Sequence, residues 1–128
     1  MIWLTKTMVE AFHRESLVQF GGGDGLRDSG LLESALARPE NVYAYETEAD
    51  VFRLAASYCH GIVKNHPFVD GNKRTGTLAA VAFLALNDFG LECEEAEIAA
   101  VVIGLAASEV SEDQFADWLR RCSVKLIP

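Results

Sequence analysis

The stretch His66-Pro67-Phe68-Val69-Asp70-Gly71-Asn72-Lys73-Arg74-Thr75-Gly76 holds the side chains of this chain best suited to chemistry. Pro67 disfavours helix at His66, and Asp70-Gly71 is a turn dipeptide, so a loop ends there and a helix begins just beyond. The first turn of a helix presents unpaired N–H groups at the positive end of its dipole, a ready anion site. Gly71 lets a phosphate approach the backbone. Asn72, Lys73 and Arg74 fall in that first turn. Lys73 and Arg74 add formal charge, and arginine can grip phosphate oxygens with two parallel bonds. Asp70 is the hard oxygen ligand that Mg²⁺ takes when it rides on a nucleotide's phosphates. His66 is the one residue nearby whose ordinary pKa suits proton transfer at neutral pH. Lys64 either faces the same phosphates or complements the negative end of the preceding helix. Together these residues make an anion site with a base attached.

Each has a plainer reading alone. Asp-Gly is commonly just a turn, and a histidine before proline can be only a loop residue. A cation at a helix start opposes the dipole, however, and so asks for an anion. Two other motifs do not fit. The Walker phosphate loop needs G-x-x-x-x-G-K-[ST], and Gly71-Asn72-Lys73 lacks that spacing. A calcium loop opening at Asp70 would want Glu where Val81 stands.

The elements that must position this segment read as helices. Residues 5–20 carry Met8, Val9, Phe12, Leu17 and Phe20 on roughly one face. The run from Gly21 to Gly25 stops that helix and makes a loop. Asp28 caps a second helix through Leu31, Leu32, Ala35 and Leu36, predicted to end before Pro39. Residues 41–45 are predicted as a short extended piece. A third helix is expected over 49–64, with Val51, Leu54, Ala55, Tyr58, Cys59 and Ile62 at spacings of three and four. Residues 73–89 are apolar almost all round, the mark of a central helix wrapped by others. A fifth helix is expected over 94–107, with Gly104 as a weak point or a close-packing site. Ser111-Glu112-Asp113-Gln114 is a capping box opening the last helix, through Phe115, Trp118 and Leu119. Trp3 and Trp118 read as core residues, and His13 and His60 as packing or surface residues. The predicted fold is all-α: a compact bundle of about six helices around one buried central helix, a single domain over residues 1–128.

Composition narrows the function. Half of the residues are hydrophobic and 23% are charged, a globular balance. The net charge of −8 argues against direct binding of nucleic acid or an anionic membrane surface, since phosphate backbones attract Lys and Arg. The longest apolar run, residues 75–86, suits a core helix rather than a membrane span. Cys59, Cys93 and Cys122 form no C-x-x-C pair. Cys59 and Cys122 sit in apolar helical patterns and are read as buried free thiols, as in a reducing cytoplasm.

The segment from His66 resembles the signature of the Fic/Doc superfamily, H-P-F-x-[DE]-G-N-G-R-x-x-R. Lys73 stands in place of the signature's second glycine and Thr77 in place of its second arginine. Both departures match the Doc (death-on-curing) branch. The run Phe20-Gly-Gly-Gly-Asp-Gly-Leu-Arg-Asp-Ser-Gly-Leu-Leu-Glu-Ser-Ala-Leu-Ala-Arg-Pro also resembles the family's N-terminal region.

The resemblance implies a cytoplasmic toxin of a toxin–antitoxin pair. It implies a protein kinase that uses ATP and Mg²⁺ to phosphorylate a threonine of elongation factor Tu and halt translation. Fic relatives transfer AMP instead, and the lysine replacing glycine is thought to hold the nucleotide in the reversed sense. Carried onto this chain, His66 is the general base, Asp70 the Mg²⁺ ligand, and Gly71, Asn72, Lys73 and Arg74 the phosphate binders. Phe68 fixes the loop with its ring turned into the core. No inhibitory [ST]-x-x-x-E-[GN] motif occurs; the segments 29–34 and 108–113 come nearest and each lacks the final Gly or Asn. Inhibition is then expected from another chain, by resemblance a Phd-like antitoxin whose disordered tail folds as a helix in an apolar groove. The rival readings are AMP transfer from the same pocket and a catalytically silent helical binding module.

Overall fold

The computed structural model describes residues 1–126, and among them six helices and one two-stranded ribbon follow one another along the chain. The helices are α1 (Lys6–Phe20), α2 (Ser29–Tyr45), α3 (Val51–Asn65), α4 (Asn72–Leu86), α5 (Glu95–Ala106) and α6 (Glu112–Cys122). Strand β1 (Phe89–Leu91) lies between α4 and α5, and β2 (Ser123–Lys125) follows α6. The expected bundle is therefore present.

Local chemistry explains most helix starts. Thr5, Asp28, Asp50 and Ser111 each accept a hydrogen bond from a backbone N–H three residues on. Each thereby satisfies one of the donors a helix N-terminus leaves free. At Ser111 the bond is returned by Gln114, completing the capping box.

The second helix departs from the local rules. It runs through Pro39 to Tyr45, so residues 41–45 are helical rather than extended. Proline removes the N–H that would bond the carbonyl of Ala35. Here Ala35 lies against Gly61 of α3; a Cβ on Gly61 would come within 3.2 Å of the Ala35 Cα and Cβ and 3.3 Å of its carbonyl oxygen. Pro39 itself is fully buried. Close packing of α2 on α3 thus stabilises a helix that the local sequence would have ended.

The centre is a pair of helices rather than one. Ten of the fifteen residues of α3 are buried, against seven in α4. At Gly76 of α4, an added Cβ would meet Val63 at 3.0 Å and Cys59 at 3.3 Å. The missing side chain is what lets α4 lie this close to α3. Gly104 is likewise a close-packing site, since a Cβ there would fall 2.7 Å from Val110.

The ribbon pairs β1 with β2 antiparallel, with Phe89 opposite Lys125, Gly90 opposite Val124 and Leu91 opposite Ser123. Strands of three residues are too short for an alternating pattern to register in the sequence. Across α2, α3 and α6, Glu112 receives Arg38 and Arg53, and His60 Nδ1 lies 3.4 Å from it. Burial pushes the Glu112 carboxyl up, but the bonds from Arg38 and Arg53 outweigh this and hold it below its ordinary 4.5. Cys59 is fully buried and burial pushes its thiol up to about 12. Cys122 was expected to be buried too, but it lies at the end of α6 and is only half-buried.

Candidate active site

The loop from His66 to Gly71 is built between two left-handed residues. His66 closes α3 at φ 53° and ψ 54°, with its N–H bonded to the Ile62 carbonyl. Gly71 precedes α4 at φ 78°. A non-glycine residue in the left-handed region is disfavoured and persists only where its surroundings hold it. Arg27 does the holding here. Its guanidinium donates to the carbonyls of His66 at 2.7 Å and Asn65 at 3.0 Å, capping the end of α3. The imidazole of His66 is left exposed.

A short piece of sheet fixes the rest of the loop. Leu26 and Phe68 form an antiparallel bridge. The N–H groups of Arg27 and Asp28 donate to the Pro67 carbonyl, and that of Val69 donates to the Gly25 carbonyl. Phe68 is buried as expected, and its ring stacks on His13 at 3.9 Å between centroids and 8° between planes. His13 Nε2 lies 2.8 Å from the carbonyl oxygen of Asp70. A carbonyl can only accept, so Nε2 carries the proton and donates.

Asn72 is buried, and its amide is spent on the loop. Its Oδ1 accepts from the Phe68 N–H at 3.0 Å and its Nδ2 donates to the Phe68 carbonyl at 2.9 Å. Both polar ends of the side chain are therefore engaged, and what Asn72 presents to an anion is its backbone N–H. Gly71 has no side chain to cap α4. The N–H of Thr75 closes the first helical bond, to the Gly71 carbonyl. Those of Asn72, Lys73 and Arg74 precede it and stay open. The side chains of Lys73 and Arg74 are exposed, and among the described residues neither has an ion-pair partner. Arg74 rests its guanidinium over the Phe20 ring at 4.5 Å.

Asp70 is exposed on the same loop. The N–H groups of Gly71 at 2.8 Å and Gly23 at 3.4 Å donate to it and hold its carboxyl below the ordinary 3.8, slight desolvation opposes this, and Arg74 and Lys73 add to the lowering. The carboxylate is thus kept ionised, as a cation ligand must be.

The expectation for Lys64 is corrected in part. Its ammonium bonds the Ala106 carbonyl at 3.1 Å and the Ser108 hydroxyl. It complements a helix C-terminus, but that of α5 rather than its own, and it is not gathered with the phosphate-binding candidates. Sequence reasoning missed the supports. His13 is the buried packing residue expected, yet it also holds the Asp70 carbonyl. The loop at Gly22 and Gly23 lies against Asp70 and Val69: a Cβ on Gly22 would stand 2.6 Å from Asp70 Oδ2, and one on Gly23 would stand 3.1 Å from Val69. Only the glycine density of that loop signalled a close approach.

A family model described as the Fic/DOC family matches residues 3–84, more than half of the chain and all of this site. The chain belongs to the Fic/Doc family. It is 35% identical over 112 residues to the protein kinase Doc of Escherichia phage P1, covering 87% of each chain. It is 38% identical over 93 residues to the toxin Doc of Mycolicibacterium smegmatis, covering 68% of this chain and 72% of that one. Within the family signature, Lys73 replaces glycine at the start of α4, and Thr77 replaces arginine one turn further on. The Thr77 hydroxyl donates to the Lys73 carbonyl at 2.8 Å, inside the helix.

Proposed function

We propose that this protein is a Doc-type toxin: a protein kinase that transfers the γ-phosphate of ATP to a threonine hydroxyl of elongation factor Tu and so blocks translation. The observation that carries the reading is the uncapped start of α4, with Lys73 and Arg74 beside it, unpaired among the described residues, and His66 and Asp70 on the loop that feeds it. Open N–H groups and two unpaired cations suit the phosphates of a nucleotide, and an ionised exposed carboxylate suits Mg²⁺. When bound, Mg²⁺ and ATP supply the transferable phosphoryl group and neutralise its charge.

The chain's own residues do the rest. The backbone N–H groups of Asn72, Lys73 and Arg74, with the Lys73 and Arg74 side chains, bind phosphate oxygens and stabilise charge that develops on them. Asp70 is the metal ligand. Gly71 keeps the backbone bare where an anion approaches. The exposed imidazole of His66 accepts the proton of the acceptor hydroxyl, a contribution of about 10²–10⁴-fold. Lys73 in place of glycine, and Thr77 in place of a second arginine, favour γ-phosphate over AMP transfer. The proposed inhibitor is a Phd-like antitoxin acting from another chain, and the proposed location is the cytoplasm, where the target works. Among the described residues no helix is long and apolar enough to cross a membrane.

The test is to incubate the protein with elongation factor Tu and ATP labelled at the α or the γ position. Label is expected on the factor from γ-labelled ATP only, and His66→Ala should abolish it. Transfer from α-labelled ATP alone would establish AMP transfer. Growth arrest undiminished by His66→Ala would favour the silent binding module. Lys73→Gly should weaken γ-transfer; an unchanged rate would remove Lys73 from the mechanism.

A further inference from the structure

Away from this loop, the fold assembles a second group of side chains that the kinase reading does not use. Cys93 and Cys122 are distant in sequence, and the ribbon brings them together. Leu91 pairs with Ser123, and one residue further the Glu92 N–H donates to the Cys122 carbonyl at 2.7 Å. Cys93 follows at once, in the turn into α5. Four residues on, in the first turn of that helix, is Glu97, whose carboxylate bonds the Cys93 thiol. The two sulfurs and a Glu97 oxygen all lie within 4.8 Å of one another. Both cysteines are half-buried and Glu97 is exposed.

This is a ligand set with a chemical preference. Zinc takes thiolate sulfur at about 2.3 Å and carboxylate oxygen at about 2.0–2.2 Å, which puts tetrahedral ligand atoms roughly 3.5–3.8 Å apart. The trio is gathered within 4.8 Å, and Glu97, whose oxygen now bonds the Cys93 thiol, is exposed and free to rotate to the ligand spacing. Two sulfurs select a thiophilic cation over Mg²⁺ or Ca²⁺. Among the described residues the Glu97 carboxylate has no ion-pair partner within 4 Å, so no basic side chain holds it. The backbone pairing, rather than the thiols, sets the two cysteines side by side, so the site does not depend on the metal for its assembly.

We propose that Cys93, Cys122 and Glu97 bind a thiophilic divalent cation, Zn²⁺, with water in the fourth position. The ion fastens the junction of α6 and β2 to the turn between β1 and α5. It lies apart from the α4 N-terminus and takes no part in the proposed transfer.

Cobalt is the probe, added to the full-length protein kept reduced by a non-thiol reductant. One Co²⁺ per chain is expected, with visible bands of a tetrahedral site and a sulfur-to-metal charge-transfer band that Zn²⁺ abolishes. Cys93→Ser and Cys122→Ser should each weaken binding at least about 100-fold, and Glu97→Gln at least about tenfold. Cys59→Ala should leave the spectrum unchanged. At a hundredfold excess over its Kd, Zn²⁺ should raise Tm by about 10 °C in the wild type and not in Cys93→Ser. Should Cys122→Ser disturb the fold, the Cys93 and Glu97 variants, which alter only the turn and an exposed position, carry the test. Absence of the charge-transfer band, or its persistence in Cys93→Ser, would overturn the proposal. So would a Cys93–Cys122 disulfide that survives the reductant and leaves only Cys59 free, which would make the pair a structural crosslink.

Discussion

Replacing Asn72 by alanine separates two jobs that a motif asparagine can do. In this structure its amide brackets Phe68, accepting from one backbone group and donating to the other. Phe68 is 2% exposed and Asn72 4%, so water cannot easily replace either bond. Asn72→Ala leaves a buried N–H and a buried carbonyl unpaired, each costing about 1–3 kcal/mol. With partial relaxation of the loop the total is about 3 kcal/mol, a large share of the roughly 5–15 kcal/mol typical of a domain. With a urea m-value of roughly 1.5 kcal/mol/M, the midpoint should fall by about 2 M. Asn72→Asp should do no better. It restores the acceptor for Phe68 N–H but sets a second oxygen against the Phe68 carbonyl, and it brings negative charge to the proposed phosphate site. The assay pairs urea unfolding, followed by circular dichroism, with calorimetric titration of a non-hydrolysable ATP analogue below the transition. A midpoint within about 0.3 M of wild type, together with a tenfold loss of nucleotide affinity, would refute the reasoning and make the side chain a ligand.

Three further expectations can be checked with single variants. Lys64→Ala removes the cap on α5 and should cost about 1 kcal/mol in urea unfolding while leaving ATP affinity unchanged; a tenfold weaker affinity would return Lys64 to the phosphate site. Gly22→Ala adds a Cβ 2.6 Å from Asp70 Oδ2 at a φ of 119°, so it should cost roughly 1–3 kcal/mol and raise the Mg²⁺ concentration needed for half-maximal activity; an unchanged Mg²⁺ titration would show that the glycine loop does not govern Asp70. Glu112 has a folded pKa below its ordinary 4.5, so its contribution is complete above that pH and is lost as pH falls through the folded value. Glu112→Gln should therefore cost roughly 2–3 kcal/mol at pH 7 and progressively less in acid, and a cost that did not shrink below pH 4.5 would count against the network.

The parts of the site that a sequence can reveal are those whose constraint is local. Pro67, the Asp70-Gly71 turn and the polar start of α4 announce a loop and a helix terminus within a few residues of one another. The supports act across the chain. His13 reaches Asp70 from 57 residues away and Arg27 reaches His66 from 39, and nothing in a histidine on an amphipathic helix or an arginine in a loop marks such a target. Pro39 misleads for the opposite reason. Its local rule is sound, but Ala35 and Gly61 bring α2 and α3 so close that packing outweighs the lost bond. Lys64 stood between two readings because charge alone does not say which helix end it meets. The cysteines carry no motif spacing, and only the pairing of two three-residue strands makes them neighbours.

Helix α1 carries a consequence for how the protein loses activity. Only Val9, His13 and Ser16 of its fifteen residues are buried, and two of these are polar, whereas α3 is anchored along most of its length. Yet α1 supplies the ring under Phe68, the donor to Asp70 and, through Phe20, the seat of Arg74. A sparsely anchored helix is thus a keystone of the candidate site loop. Elements with few buried contacts open locally at a lower free energy than the whole molecule unfolds, and α1 is expected to be one of them. On the proposed reading, site competence and foldedness are therefore expected to be separate quantities: a population would keep its helical core and have no working site. Anything that clamps α1 raises the active fraction without touching a reacting group.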